Sequence, residues 1–328
     1  MSEMPSQSRI AILGATSQIA KDLVLSISRQ SSLDLVLFAR RPEIVSQWLA
    51  KVGLSGRYNN VADFGAFSAD EHFDAILNFV GVGDPAQAAA MGTSIFDITL
   101  EYDTMALDYL RQHPECRYLF LSSGAAYGSS FDEPVDENSK AVIAINNFQP
   151  QDWYAVAKLH AECRHRSLLH LPIVDIRVFN YFSHTQDISS RFFITDILRA
   201  IQFGEVLLTS SDNIVRDYIG PDDFYQLVSL ILAAQPSNNV VDCYTKAPVD
   251  KMTLLSNMKE CFGLVYEVRD APVGVNATGV KMNYFSKNRR AETFGYLPSK
   301  KSLDSILEEV CHQTILQKLH FKVEPANH

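Results

Sequence analysis

Short apolar runs separated by stretches of helix length limit what this chain can fold into. Arg9 to Leu13, Leu35 to Ala39, Ala75 to Gly81, Arg117 to Ser122 and Pro172 to Val178 each read as a strand buried on both faces. A further short strand ends before Ala62-Asp63, and helical patterns fall around Ser94 to Gln112 and from Tyr154 onward. Strands alternating with helices at this spacing predict a doubly wound, mainly parallel α/β sheet. After Asn180 the alternation breaks into loops and short elements, which predicts a smaller C-terminal lobe over the carboxyl ends of the strands. The expected division is a sheet domain over 1–180, with 214–235 returning to it, and a lobe formed mainly by 181–328.

At 328 residues, 47% hydrophobic and 20% charged, the composition is that of a packed globule. No apolar run reaches bilayer-spanning length, and the polar start Met1 to Ser8 lacks a signal-peptide core, which predicts cytoplasmic residence. The five cysteines (Cys116, Cys163, Cys243, Cys261, Cys311) form no close pair, so neither a disulfide framework nor a zinc site is expected. His160, His165 and His170 are spaced by five, do not share a helical face, and predict no metal. A formal net charge of −9 argues against nucleic acid as a partner. It leaves room for a phosphorylated ligand, because local arginines and backbone N–H groups bind phosphate within an acidic protein.

Ligands bind at the carboxyl ends of strands in open α/β sheets, and Ser122-Ser123 stand at such an end. Tyr154-Ala155-Val156-Ala157-Lys158 then opens a stretch without Gly or Pro until Pro172, so a helix puts Tyr154 and Lys158 on one face. A phenol with an ordinary pKa near ~10 is a poor base at neutral pH, and a nearby ammonium favours its phenolate. A serine hydroxyl beside that phenol can hold a substrate oxygen. Ser123, Tyr154 and Lys158 are therefore the candidate catalytic set, suited to moving a proton while a nicotinamide moves a hydride. A surface tyrosine and lysine on a helix would share the spacing. A second such pair, Tyr296 and Lys300, encloses Pro298, which works against a helical face.

The first strand runs into Gly14-Ala15-Thr16-Ser17-Gln18-Ile19-Ala20, a turn that opens a helix. Backbone N–H groups at such a start suit a pyrophosphate, which makes Gly14, Thr16, Ser17, Gln18 and Ile19 candidate cofactor contacts. Of the usual glycines only Gly14 is present, so a plain strand-to-helix turn is the competing reading. The second strand leads into Arg40-Arg41, where an NAD site has an acid for the ribose 2′-hydroxyl and an NADP site an arginine for the 2′-phosphate. Arg40 and Arg41 point to NADP(H), with NAD(H) as the alternative and surface arginines as the plain reading. Asp63 suits the adenine amino group or an ordinary turn. Asn78 to Gly83, including Phe79, brings small residues that permit close passage of the cofactor.

Taken in order, Gly14-Ala15-Thr16, Asp63, Leu121-Ser122-Ser123-Gly124-Ala125-Ala126-Tyr127-Gly128, Tyr154-x-x-x-Lys158, Arg177-Val178-Phe179-Asn180 and Arg216-Asp217-Tyr218-Ile219-Gly220-Pro221-Asp222-Asp223 resemble one family. It is the extended short-chain dehydrogenase/reductases that act on nucleotide-activated sugars, the NAD-dependent epimerase/dehydratase family. The resemblance implies a Rossmann domain with a smaller C-terminal substrate-binding lobe. It implies that Ser123 and Tyr154 are catalytic and that Lys158 activates Tyr154 and binds the nicotinamide ribose. It implies that Asn180 and Arg216 contact the diphosphate of a nucleotide sugar, and that the chain is a homodimer through a four-helix bundle. The family's 4,6-dehydratases carry Asp-Glu after the catalytic hydroxyl residue, and its 3,5-epimerase/reductases a cysteine; here Gly124-Ala125 stand there. Water elimination and ring epimerisation are thus not expected. Tyr181-Phe182-Ser183-His184 replaces the family's Tyr-Gly-Pro and leaves His184 as a stray acid/base candidate.

The expected activity is NADPH-dependent reduction of the 4-keto group of a nucleotide-linked 4-keto-6-deoxy sugar, of the kind used in polysaccharide biosynthesis. A NAD-dependent nucleotide-sugar 4-epimerase is the alternative. A non-catalytic NADP-binding sensor or scaffold is the second.

Overall fold

The computed structural model describes residues 8–81, 90–128, 131–269 and 281–321, with side chains to residue 313. The start through Gln7 and the pair Val82-Gly83 lie outside the described residues. Six strands appear where the apolar runs predict them: β1 (Arg9–Leu13), β2 (Asp34–Phe38), β3 (Val61–Ala62), β4 (Ala75–Asn78), β5 (Arg117–Ser123) and β6 (Ile173–Val178). Beyond them come β7 (Asn180–Tyr181), β8 (Val206–Ser210), β9 (Val215–Arg216), β10 (Tyr218–Ile219), β11 (Asn239–Asp242), β12 (Val249–Asp250), β13 (Val265–Arg269) and β14 (Asn283–Tyr284). The helices used below are α1 (Gln18–Gln30), α2 (Pro42–Lys51), α3 (Ser94–Gln112), α4 (Trp153–Ser167), α5 (Phe193–Phe203), α6 (Pro221–Ala233), α7 (Lys251–Phe262) and α8 (Ser302–Phe321).

One sheet runs in the order β11-β6-β5-β4-β1-β2-β3, and every pairing in it is parallel. Strand order reverses at β1 and β4, which opens a crevice at their carboxyl ends. This is a Rossmann-like, doubly wound sheet. Its strands are apolar throughout because both faces are covered. Ile10, Ile12, Leu35 and Leu37 pack on one side with Leu23 and Val24 of α1, Val45 of α2 and Phe224 and Leu227 of α6. Ala11, Leu13, Ile76 and Phe120 pack on the other with Ala106 and Leu107 of α3 and Ala161 of α4. A separate core of Phe182, Ile194, Ile197, Leu254, Met258 and Ile306 builds the lobe from α5, α7 and α8.

Several boundaries shift from the sequence expectation, and one strand of the main sheet is new. β4 stops at Asn78 because the Asn78 Oδ1 accepts from the Val80 N–H at 2.9 Å, turning the chain out of the ladder. β3 includes Ala62, paired with Phe38. Edge strand β11 has no mark in the sequence, since two valines between Asn239 and Asp242 make no apolar run. None of the described helices is long and apolar enough to cross a membrane.

Candidate active site

The turn from β1 into α1 depends on Gly14. Its φ is +82°, and a Cβ there would lie 2.9 Å from the Phe79 carbonyl carbon, so only glycine passes. The Gly14 and Ala15 N–H groups donate to the Phe38 carbonyl at 2.9 and 3.0 Å, pinning the turn to the end of β2. Ser17 caps α1 without spending its hydroxyl, and no acid stands in the first turn. Free N–H groups at a helix start with no competing anion fit a dinucleotide pyrophosphate. Thr16 is exposed beside them, while Ile19 packs into the sheet core. Gln18 reaches away, donating to Ser183 Oγ at 2.8 Å. Arg40 and Arg41 are exposed just past β2. Asp63 accepts from Gly65 N at 2.8 Å, so it caps a short turn. Phe79 is buried against Phe224.

β5 carries Ser122 and Ser123 to its end, and strand alternation sends them to opposite faces. Ser122 Oγ donates to Glu162 Oε1 at 2.5 Å. Ser123 Oγ accepts from Ala125 N at 3.2 Å and lies 3.3 Å from the Tyr284 hydroxyl. Tyr154 sits in the first turn of α4, where burial pushes its phenol up and a hydrogen bond with Ser123 partly offsets this. Lys158 is buried and donates from Nζ to the Leu121 carbonyl at 2.7 Å. Its ammonium stands 5.9 Å from the Tyr154 ring centre, and burial brings it down to about 8. The structure therefore brings Ser123, Tyr154 and Lys158 together. It does not show the expected depression of the Tyr154 phenol: the Lys158 ammonium bonds a backbone carbonyl, and loss of water dominates at Tyr154.

Behind β5 lies a buried charge network. Glu162 holds Arg177 through both carboxylate oxygens, with Arg177 Nε at 3.0 and 3.1 Å and Nη2 at 2.5 Å. Arg177 also reaches Asp242 at 3.5 Å, and Asp242 accepts from Tyr127 at 2.9 Å and Ser286 at 2.6 Å. On the α3 side, His165 lies between Asp103 and Asp175, 2.6 Å from each. Burial alone would lower His165, but the two carboxylates outweigh it and hold its pKa at about 9. Histidine spacing hides this role, because the acids come from α3 and β6.

Beyond β6, Asn180 Nδ2 donates to the Asp217 carbonyl at 3.2 Å and to the Tyr284 carbonyl at 3.5 Å. Among the described residues Arg216 donates to backbone carbonyls alone, of Val215 at 2.8 Å and Met282 at 3.5 Å. Lys281 is 8% exposed, and its ammonium stands 4.4 Å from the Tyr284 ring centre. Burial, with the Arg216 charge, brings Lys281 down to about 8. Sequence reasoning misses Lys281 and Tyr284; their only signal is the pairing of β14 with β9, far apart in the chain. His184 is engaged elsewhere, its Nδ1 2.7 Å from Glu309 Oε2 on α8. Its neighbours Tyr181, Ser183 and Thr185 all donate to Asp22 of α1, at 2.9, 2.7 and 2.8 Å.

A Rossmann sheet with a phosphate-ready turn and a Ser, Tyr and Lys at its strand ends defines a nicotinamide-dependent oxidoreductase. More narrowly, the chain belongs to the NAD dependent epimerase/dehydratase family, whose model matches residues 10–243. Its fold is similar to that of UDP-glucuronic acid 4-epimerase from Bacillus cereus, solved with UDP-glucuronic acid and NAD: 15% identity, TM-score 0.71, covering 94% of this chain and 99% of that one. UDP-glucose 4-epimerase from Thermotoga maritima with UDP-glucose gives 15% identity and TM-score 0.73 over 94% and 99%. dTDP-glucose 4,6-dehydratase from Bacillus anthracis with NAD gives 14% and 0.73 over 95% and 98%. No curated protein matches the chain.

Proposed function

We propose that the protein is a nucleotide-sugar 4-epimerase, which oxidises and re-reduces C4 of a sugar carried on a nucleoside diphosphate with a retained NAD(H). The observation that carries this is the meeting of Ser123, Tyr154 and Lys158 with two cations, half-buried Arg216 and buried Lys281, that form no ion pair among the described residues. Cations largely withdrawn from water and bonded to no carboxylate call for an anion, and a diphosphate supplies one. Two of the similar solved structures are 4-epimerases with UDP-sugars, which supports the same reading. Gly124 argues against dehydration, because a Cβ there would lie 2.4 Å from the Phe179 ring and no acid side chain fits.

Bound nicotinamide supplies the hydride acceptor and donor. The turn from Gly14 to Ile19 would hold the pyrophosphate at the start of α1. Tyr154 takes the proton of the C4 hydroxyl and returns it, and Ser123 hydrogen-bonds the same oxygen. Lys158, one turn along α4, favours the phenolate when Tyr154 ionises. The half-buried Ile98, Met105 and Leu159, with exposed Leu100, support a homodimer through α3 and α4, in keeping with a cytoplasmic enzyme.

Arg40 and Arg41 favour a second reading. Exposed guanidinium groups past β2 suit a 2′-phosphate, and an enzyme consuming NADPH would reduce a nucleotide-linked 4-keto-6-deoxy sugar. The test joins two measurements. Nucleotide released from the purified protein is identified, and NADPH and NADH oxidation is followed against UDP-, dTDP-, GDP- and CDP-linked sugars and their 4-keto-6-deoxy forms. Co-purified NAD with C4 interconversion and no net oxidation supports the epimerase. Stoichiometric NADPH oxidation supports the reductase, and turnover of neither kind overturns both.

A further inference from the structure

Tyr284 reaches the catalytic serine from 161 residues away, with its hydroxyl 3.3 Å from Ser123 Oγ. Two constraints hold it there. β14 pairs with β9 so that Tyr284 stands opposite Arg216. Its ring packs against Phe131 and Phe179, with centres 4.8 and 5.1 Å apart. Ser123 Oγ also accepts from the Ala125 N–H. A serine hydroxyl has two lone pairs and one proton. With one lone pair filled by the Ala125 N–H and the other by a phenol O–H, only its own proton is left to give.

We propose that Tyr284 is a positioning residue for Ser123: its hydroxyl donates to Ser123 Oγ and thereby directs the serine proton at the oxygen shared with Tyr154. This rests on reading Ser123 as the hydrogen-bond donor to the sugar oxygen. Burial holds the Tyr284 phenol well above its ordinary range, so it remains a donor throughout the working pH. The nearby charges Arg216 and Lys281 sit over its ring, where they do not compete for the hydroxyl.

Tyr284→Phe keeps the ring and removes only the hydroxyl. With the substrate identified above, kcat falls about tenfold while KM and cofactor affinity stay within about threefold. In a Ser123→Ala background the same substitution changes kcat by less than about twofold, because the group it acts through is gone. An equal fall in both backgrounds, or none in either, overturns the proposal. Crystal structures of the unmodified protein and Tyr284→Phe test it without turnover. Ser123 is expected in one rotamer bonded to Tyr284 in the first and spread over several in the second. A single unchanged rotamer in both overturns the proposal, even if no sugar nucleotide reacts and the function proposed above has failed separately.

Discussion

Replacing Arg177 with methionine removes one charge from the middle of a dry network and leaves most of the side-chain stem in place. The Arg177 side chain is 15% exposed, and the carboxylates it joins, Glu162 and Asp242, are 5% and 0% exposed. Burial already pushes both carboxyls above their ordinary range with Arg177 present. Without it each keeps only hydroxyl partners among the described residues, Ser122 on Glu162 and Tyr127 and Ser286 on Asp242. Breaking a buried pair on one side costs about 3–5 kcal/mol. At about 2–4 °C per kcal/mol for a large domain, the melting temperature falls by roughly 6–20 °C. The sign with pH is fixed. A carboxyl whose folded pKa is raised costs most when ionised, so the loss grows as pH rises through the folded values and shrinks below them. Thermal melts by circular dichroism, at about pH 5.5 and about pH 8, measure both effects. A drop below about 2 °C at the higher pH, or the same drop at both, would refute the electrostatic account.

Gly124→Ala puts a methyl 2.4 Å from the Phe179 ring, which must swing away from Tyr127 and Tyr284. About 1–3 kcal/mol of stability is expected to go, and an unchanged urea midpoint would contradict this. His165, held at about 9 between its two aspartates, contributes stability that is full below the ordinary histidine value of about 6.5 and lost as pH rises through 9. Stability should therefore decline by about 3 kcal/mol across that window and flatten in His165→Gln; equal slopes in urea titrations would exclude it. Arg40→Glu should weaken NADPH by about tenfold or more and NADH little, read by nucleotide fluorescence titration. Equal weakening of both would place Arg40 away from the 2′-position.

The sheet was legible because strands buried on both faces must be apolar end to end, and Ile10, Ile12, Leu35 and Leu37 meet that demand without help from distant residues. Gly14 was legible because a tight turn is a local event. Ser123, Tyr154 and Lys158 could be picked out because a strand end and one helical turn place them, and both are local. Tyr284 and Lys281 could not, since only the ladder between β9 and β14 brings them to the site. The same holds for His165, whose partners arrive from α3 and β6. Asp63 marks a third limit: one residue type serves a turn cap and an adenine contact, and the sequence does not choose between them.

The pairing of β9 with β14 also has a consequence for how the molecule is made. The glycine turn and the Ser123, Tyr154 and Lys158 set all precede residue 180, whereas Tyr284 emerges about a hundred residues later. On a ribosome, the glycine turn and the Ser123, Tyr154 and Lys158 set are made well before the ladder that brings Tyr284 to them.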